Sequence, residues 1–217
     1  MAFVHSPKIV TDGLVLALDA GNVKSYPGSG TTWYDKSGFG NNGTLTNGPT
    51  FDSANGGSIV FDGVDDNIQL GNASNIIETS QSSVTVNSWV KTNAVGNYKK
   101  ILVTTPPNVQ NISGLYLSLG PSPYGVYFGV KTNNGDQSAI YQPYVSTSQY
   151  TNICGTYDGS TIRLYLNASV VASQTQTGNI VNSGIIRVSG YDNNHETLNG
   201  NIGIVQVYNR ALTQTEI

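Results

Sequence analysis

Hydrophobic and polar residues alternate in short runs along most of the chain. In one run, Ile162, Leu164 and Leu166 share a face, opposite Arg163 and Tyr165. A period of two residues is typical of a β-strand with one buried and one solvent-facing side. The same pattern, bounded by turn residues, predicts thirteen strands: 13–19, 58–62, 67–70, 84–91, 99–105, 114–119, 125–131, 138–145, 151–157, 161–167, 169–174, 185–191 and 202–208.

Turn residues separate these runs and predict how they connect. Asp158-Gly159 and Asn133-Asn134-Gly135-Asp136 each lie between two predicted strands, and these residue types accept the positive φ angles of tight hairpins. Many short strands joined by such turns predict an antiparallel sandwich or barrel. The glycine-rich segment 21–55 is predicted to be a long ordered loop that large apolar side chains hold to the body: Trp33, Tyr34, Phe39, Leu45 and Phe51.

Composition supports this all-β interpretation. Gly, Asn, Ser and Thr account for 92 of the 217 residues, and only 23 residues are charged. A helical bundle needs more charged residues on its outer faces, so this class is excluded. The length fits one large all-β domain, assigned to residues 13–217 after an N-terminal arm of residues 1–12. Trp89 and the single cysteine, Cys154, are expected in its core.

Charge and hydropathy argue against two classes of partner, nucleic acids and membranes. The net charge is -3, whereas nucleic-acid-binding domains carry a basic patch, so no nucleic-acid partner is expected. The longest apolar run covers residues 14–18, and membrane insertion needs about 18 apolar residues. The first residues lack the apolar stretch of a signal peptide. We therefore expect a protein that is intracellular or leaves the cell without a signal peptide.

The last six residues have the form of a helix start. Thr213 would be the N-cap and Glu216 the N3 residue of a capping box, and Leu212 and Ile217 could form a hydrophobic staple. Two interpretations remain open: one short helical turn caps the sandwich, or the natural polypeptide continues beyond Ile217.

Four stretches together form a recognisable pattern: FDGVDDNI (61–68), VTVNSWVK (84–91), GTYDGSTIRLYLN (155–167) and VYNRALT (207–213). In order and spacing they resemble the laminin-G-like branch of the concanavalin A-like lectin/glucanase superfamily. The resemblance implies a jelly-roll sandwich of two antiparallel sheets, in agreement with the predicted strands. Ala168 departs from the family, which usually has glycine there, so the turn Asn167-Ala168-Ser169 is not expected to be the usual tight hairpin.

A narrower resemblance lies in SPKIVTDGLVL (6–16), DAGN (19–22), SYPGSGTTW (25–33) and NNGTL (41–45). These stretches look like the opening of lectin-fold structural proteins in tailed bacteriophage virions. The resemblance implies assembly in the host cytoplasm, release by lysis, and a symmetric assembly with other virion proteins. The main interpretation is a non-catalytic virion surface protein, either a capsid decoration or a tail or fibre component. The alternative is an adhesin module that binds host-surface glycans.

The superfamily includes glucanases, so the sequence could in principle hold the carboxyl pair of a glycosidase. Glycoside hydrolysis needs two carboxyl groups about 5–9.5 Å apart, and the glucanases carry theirs at alternate positions of one strand. No glutamate of this chain has an acidic residue two positions away. Asp65 and Asp66 are adjacent and are expected to point to opposite faces of an extended chain. The sequence therefore predicts no enzyme activity.

Two acidic clusters offer oxygen ligands of the kind that calcium prefers. One consists of Asp62, Asp65 and Asp66, and the other is a loop that contains Asp192. Laminin-G-like relatives often hold calcium at the sandwich rim, so the resemblance implies calcium as the candidate metal. Aspartates that cap turns explain the same residues without a metal, and both interpretations stay open. No other cofactor is expected.

Aromatic residues in or near loops are candidates for sugar binding, because an aromatic face stacks on the apolar face of a sugar. They are Trp33, Tyr34, Tyr124, Tyr141, Tyr144 and Tyr191, with Asn193 as a polar neighbour. Tyrosines are also ordinary half-buried strand residues, so a structural role is the alternative for each of them.

Overall fold

The computed structural model describes residues 9–93, 98–106, 113–121, 125–142, 147, 149–190 and 196–217. Within them, sixteen strands form two eight-stranded sheets with antiparallel pairing, which confirms the predicted all-β sandwich. The strands are β1 (Leu14–Asp19), β2 (Thr32–Trp33), β3 (Gly43–Thr46), β4 (Thr50–Asp52), β5 (Ser58–Asp62), β6 (Asn67–Asn72), β7 (Val84–Thr92), β8 (Lys99–Thr105), β9 (Leu115–Leu119), β10 (Val126–Thr132), β11 (Gly135–Tyr141), β12 (Thr151–Tyr157), β13 (Thr161–Leu166), β14 (Ser169–Thr175), β15 (Ile185–Val188) and β16 (Asn199–Tyr208). Short 3-10 turns cover Ala54–Gly56 and Ala73–Asn75, and no helix in the described part is long and apolar enough to cross a membrane.

The first and last strands lie together in one sheet, which we call the terminal sheet. Its order is β14-β13-β12-β7-β16-β5-β4, and β1 also pairs with β16. The opposite sheet has the order β11-β10-β9-β8-β15-β6-β3-β2. Strand β16 is ten residues long and pairs with β1, β5 and β7. It therefore joins both halves of the terminal sheet.

Apolar side chains from the inner faces of the two sheets form the main core. Alternation explains the arrangement, since Val84, Val86 and Val90 of β7 all point inward and are buried. The sheets approach closely at Gly155 of β12, because a Cβ there would overlap the ring of Phe128 from β10. Glycine at this position is required by packing rather than by backbone conformation.

Cys154 is buried, as predicted. Burial raises the pKa of its thiol well above the ordinary value. A neutral, inaccessible thiol is a packing residue and not a nucleophile.

The segment 21–55 is not one long loop, in contrast to the prediction. It contains β2, β3 and β4, whose two to four residues are too few for alternation to reveal. Trp33 and Leu45 are buried, and Phe51 packs against the core. Tyr34 and Phe39 are exposed instead, so the expectation that they hold the segment to the body is wrong.

The turn between β13 and β14 corrects a second prediction. Leu166 pairs with Ser169, so Asn167 and Ala168 alone form a tight two-residue hairpin turn. Both have positive φ angles, 48° and 63°, as in a type I′ turn. Ala168 therefore adopts a backbone conformation that normally favours glycine.

Residues 213–217 form a single hydrogen-bonded turn, in which the backbone N–H groups of Glu216 and Ile217 donate to the carbonyl of Thr213 at 3.0 and 3.3 Å. The carboxylate of Glu216 accepts a hydrogen bond from the backbone N–H of Thr213 at 2.9 Å, which is one half of the predicted capping box. Leu212 belongs to a small apolar cluster with residues of β1 and β16, and Ile217 packs against this cluster. A direct staple contact between Leu212 and Ile217 stays a prediction.

Candidate functional site

Trp89 lies on the outer face of the terminal sheet, where 40% of the residue is exposed. This corrects the prediction that it packs in the core. Strand β7 alternates, and position 89 falls on the same face as Asn87. Trp89 pairs with Ile204 of β16 on one side and with Asn152 of β12 on the other. An indole with a free face in the middle of a sheet can stack on a ligand.

A cleft of about 310 Å³ opens beside Trp89. Besides Trp89, the residues that line it include Asp19, Asn55 and Tyr150. Asp19 belongs to the same cross-strand row as Trp89, because it pairs with Ile204. A few convergent polar groups around an aromatic surface are typical of small-molecule sites, and they match the apolar faces and hydroxyl groups of a sugar.

Glycines build one wall of this cleft. A Cβ on Gly57 would lie 2.8 Å from the Cα of Gly21, so the two backbones can approach only without side chains there. The backbone N–H of Ala20 donates to the carbonyl of Gly203 at 2.9 Å and ties this wall to β16. Asn55 takes a positive φ of 54° within the adjacent 3-10 turn and lines the cleft.

A row of amide side chains crosses the sheet next to Trp89. Nδ2 of Asn152 donates to Oδ1 of Asn87 at 2.8 Å, and Nδ2 of Asn87 donates to Oε1 of Gln206 at 3.0 Å. Oδ1 of Asn152 is buried without a partner among the described residues. An unpaired buried acceptor costs free energy.

A second cleft, of about 260 Å³, lies on the same face, and Trp89 and Ile204 line both clefts. Asn87 and Gln206 contribute its polar groups. Burial raises the pKa of the Tyr208 phenol to about 12, so it stays protonated at neutral pH. The apolar lining comes from both ends of the described chain: Ile9, Val10, Tyr208, Leu212 and Ile217.

Glu216 also lines the second cleft, but its charge is paired. Nη1 and Nη2 of Arg210 donate to its two carboxylate oxygens at 2.9 and 2.8 Å. The Arg210 guanidinium and the backbone N–H of Thr213 lower the pKa of Glu216 from 4.5 to about 2. The carboxylate is therefore ionised and neutralised by a bidentate partner at neutral pH.

The residues that the sequence predicts to bind sugar do not come together in one site among the described residues. Trp33 is completely buried, so its ring cannot meet a ligand, and its assignment to a binding site is corrected. Tyr34 is 45% exposed and Tyr141 is half-buried at the end of β11. Neither lines the two clefts at Trp89, and for both a binding role stays a prediction. The remaining candidates lie outside the described residues: Tyr124, Tyr144, Tyr191 and Asn193.

Asp62, Asp65 and Asp66 meet where β5 leads into β6, with one oxygen of each within 4.8 Å of the others. The expectation that Asp65 and Asp66 point apart is wrong, because the chain bends here instead of staying extended. Asp62 accepts the backbone N–H of Val64 at 2.8 Å, and Asp66 accepts that of Asp62 at 2.9 Å. These aspartates therefore cap the turn.

The same cluster fits a calcium ion by the chemistry of its donors. Burial raises the pKa of Asp66, and the charges of Asp62 and Asp65 raise it further. Oδ1 of Asn67, the next residue, is buried without a partner in the described part of the chain. Crowded carboxylates beside an unpaired amide oxygen would gain from a cation, so calcium binding here stays a prediction. Asp192, the other candidate ligand, lies outside the described residues.

Comparison with known proteins places these features in a family. Residues 62–217 match a laminin G family described as the Concanavalin A-like lectin/glucanases superfamily. No curated protein matches the chain.

Solved structures share the fold. The binding domain of Paraclostridial Mosquitocidal Protein 1 matches with a TM-score of 0.73 and 19% identity over 95% of this chain and 51% of that one. The binding domain of botulinum neurotoxin serotype G has a TM-score of 0.71 and 17% identity over 94% and 49%. The chain thus spans about half the length of these two. Domain 4 of AbnA, an extracellular arabinanase from Geobacillus stearothermophilus, solved in complex with arabinotriose, has a TM-score of 0.69 and 18% identity over 94% and 95%.

Proposed function

The chain belongs to the concanavalin A-like lectin/glucanases superfamily, and from this premise we propose that it is a glycan-binding module. The binding site is the outer face of the terminal sheet around Trp89. This proposal favours the adhesin alternative over a purely structural role in a virion, since it follows from a site rather than from the fold.

One observation carries the proposal: a large aromatic ring lies exposed between hydrogen-bonding groups. Trp89 offers a face for stacking, and Asp19 and Asn55 offer acceptors and donors for hydroxyl groups in the same cleft. Trp is enriched among residues that dominate binding energies, because it combines a large apolar area with few rotatable bonds. Elsewhere on the terminal sheet the outer tyrosines Tyr165 and Tyr208 are buried.

The similar structures agree with this chemistry without assigning a ligand to this chain. Domain 4 of AbnA was solved with arabinotriose. For botulinum neurotoxin type C, cell entry is described as dependent upon interaction with two ganglioside molecules. Both ligands carry sugars, and a sugar is also the ligand class that the Trp89 cleft suits.

We propose that the module binds without hydrolysing. The two carboxylates that line the clefts are already hydrogen-bonded within the chain: Asp19 accepts the backbone N–H of Gly21 at 3.0 Å, and Glu216 is paired with Arg210. The acid of a glycosidase is a carboxyl group with a raised pKa, whereas the pKa of Glu216 is lowered.

The site of action is a further part of the proposal. The resemblance of residues 6–45 to lectin-fold virion proteins supports a bacteriophage surface, with assembly in the host cytoplasm and other virion proteins as neighbours. The number of copies in purified particles tests it: hundreds indicate the capsid, a few dozen or fewer indicate a tail or fibre, and absence contradicts the assignment.

A glycan array tests the proposed function. The full chain should bind a defined set of oligosaccharides, Trp89→Ala should lose that binding, and Phe39→Ala should retain it. Phe39 is a matched control because it is an exposed aromatic residue, at 66%, outside both clefts. An array without hits at high protein concentration, or equal binding by Trp89→Ala, would contradict the proposal.

A further inference from the structure

The second cleft differs from the first in its chemistry, although Trp89 and Ile204 line both. The first cleft presents Asp19, Asn55 and Tyr150 to a ligand. The second combines an apolar wall with two amide side chains. A ligand stacked on Trp89 therefore meets Asp19, Asn55 and Tyr150 on one side, and an apolar wall next to two amides on the other.

The apolar wall is built from the small cluster that lies outside the main core. Leu212 and Tyr208 are two of its four buried members, and Val10 and Ile217 pack against the cluster while staying partly exposed. A sugar hydroxyl placed against this wall would be buried without a partner and would lose its hydrogen bonds to water. The wall therefore suits a methyl group.

The hydrogen bonds among the amides beside this wall leave one side-chain N–H donor unused. Gln206 uses Oε1 to accept a hydrogen bond from Asn87. Its Nε2 group has no partner within the described residues, and Gln206 lines the cleft. A ligand carbonyl next to the methyl group would satisfy this donor, because carbonyl oxygens accept from side-chain amides.

The second cleft carries no unbalanced charge among its described residues. Glu216 is neutralised by the bidentate contact with Arg210. A neutral ligand substituent matches such a surface, whereas a free amine or a carboxylate would be desolvated there without an opposite charge to pair with.

We infer that the module recognises glycans with an acetamido group, the methyl of which fills the second cleft while its carbonyl accepts from Gln206 and the neighbouring ring stacks on Trp89. This inference rests on the proposed function and names its ligand class. The acetamido group is the common sugar substituent that joins a methyl to a neutral amide.

Three trisaccharides with the same β-1,4 linkage test it, differing only at C2: acetamido, hydroxyl or free amine. Titration calorimetry on the full chain should show the acetamido compound binding at least about tenfold more tightly than the hydroxyl compound, equivalent to about 1.4 kcal/mol. Gln206→Glu keeps the acceptor for Asn87 and removes the donor, and Ile217→Ala opens the apolar wall. Each should remove most of the preference, while Trp89→Ala should weaken both compounds alike.

A control variant and three outcomes separate the two proposals. Val181→Ala alters an exposed residue outside both clefts and should leave the affinities unchanged. Thermal midpoints of Gln206→Glu and Ile217→Ala show whether each variant is folded.

Equal affinity for the acetamido and hydroxyl compounds overturns the inference and leaves the proposed function standing. Tightest binding of the free amine also overturns it, because attraction to Asp19 then dominates. Binding of none of the three, with no glycan found on the array, overturns both.

Discussion

Trp89 of β7 pairs with Ile204 of β16, and the two side chains together line both clefts on the outer face of the terminal sheet. Ile204 pairs in turn with Asp19 of β1. Three strands that are remote in sequence thus bring an aromatic ring, an apolar side chain and a carboxylate into one row. The position of the ring depends on this register, because a slip of one residue would turn Trp89 into the core.

Gly155→Ala should destabilise the sandwich. The added methyl group would overlap the ring of Phe128 from the opposite sheet, and such overpacking costs about 1–3 kcal/mol. The free energy of unfolding from urea denaturation measures the loss. Phe128→Leu in the same chain should recover part of it, since the smaller side chain relieves the overlap. If the losses in the free energy of unfolding from Gly155→Ala and Phe128→Leu simply add in the double variant, the two side chains do not overlap as described.

Ala168→Gly should stabilise the chain. Ala168 has a φ of 63° in the turn between β13 and β14, and glycine removes a left-handed strain of about 1–2 kcal/mol, partly offset by the freedom it adds to the unfolded chain. We expect a net gain of about 0.5–1 kcal/mol in the free energy of unfolding. Ala172→Gly is the matched control on β14, where glycine should only weaken the strand. A lower free energy of unfolding in Ala168→Gly would show that the backbone of Ala168 is not strained.

Acid should release the C-terminal turn at a defined pH. The folded pKa of Glu216 is about 2 and its ordinary value is 4.5, so the pair with Arg210 stabilises the folded state above pH 4.5 and is lost as the pH falls through about 2. NMR titration of the Glu216 carboxyl group should follow this midpoint. Glu216→Gln should remove the pH dependence of the local stability of residues 213–217. A midpoint near 4.5 in the folded protein would mean that the pair does not persist in solution.

Calcium should raise the thermal midpoint of unfolding. The three carboxylates of Asp62, Asp65 and Asp66 share oxygens within 4.8 Å, and a bound cation removes their mutual repulsion. Binding sites of this kind in extracellular modules have dissociation constants of about 0.1–1 mM. Asp65→Asn should abolish the shift, whereas Asp52→Asn, outside the cluster, should not. An unchanged midpoint at millimolar calcium would leave these residues with the turn-capping role alone.

Much of the fold could be predicted because alternation is a local signal. Strands such as β7, β12 and β13 span six to nine residues, enough to show their period. Strands β2, β3 and β4 span two to four residues and exist only through pairing, β2 with β3, β3 with β6 and β4 with β5. A short segment in a glycine-rich stretch carries no periodic signal of its own, so it looks like a loop.

The site could have been predicted in part. The alternation that put Asn87 on the wet face also puts Trp89 there, and only the usual preference of a large apolar residue for the core argued against it. Trp33 presents the opposite case. It lies in a turn-rich segment, and its complete burial depends on the packing of β2 beside β3, which no local pattern contains.

The two tryptophans give the central claim its most direct test. Trp33 is completely buried and Trp89 is 40% exposed, and the chain has only these two. Quenching of tryptophan fluorescence by acrylamide therefore reports chiefly on Trp89. With a glycan identified on the array, saturation should protect the accessible tryptophan from quenching, and Trp89→Phe should abolish that change while Trp33 still emits. Glycan binding that leaves Trp89 as accessible as before would contradict the proposal that this ring is the binding platform.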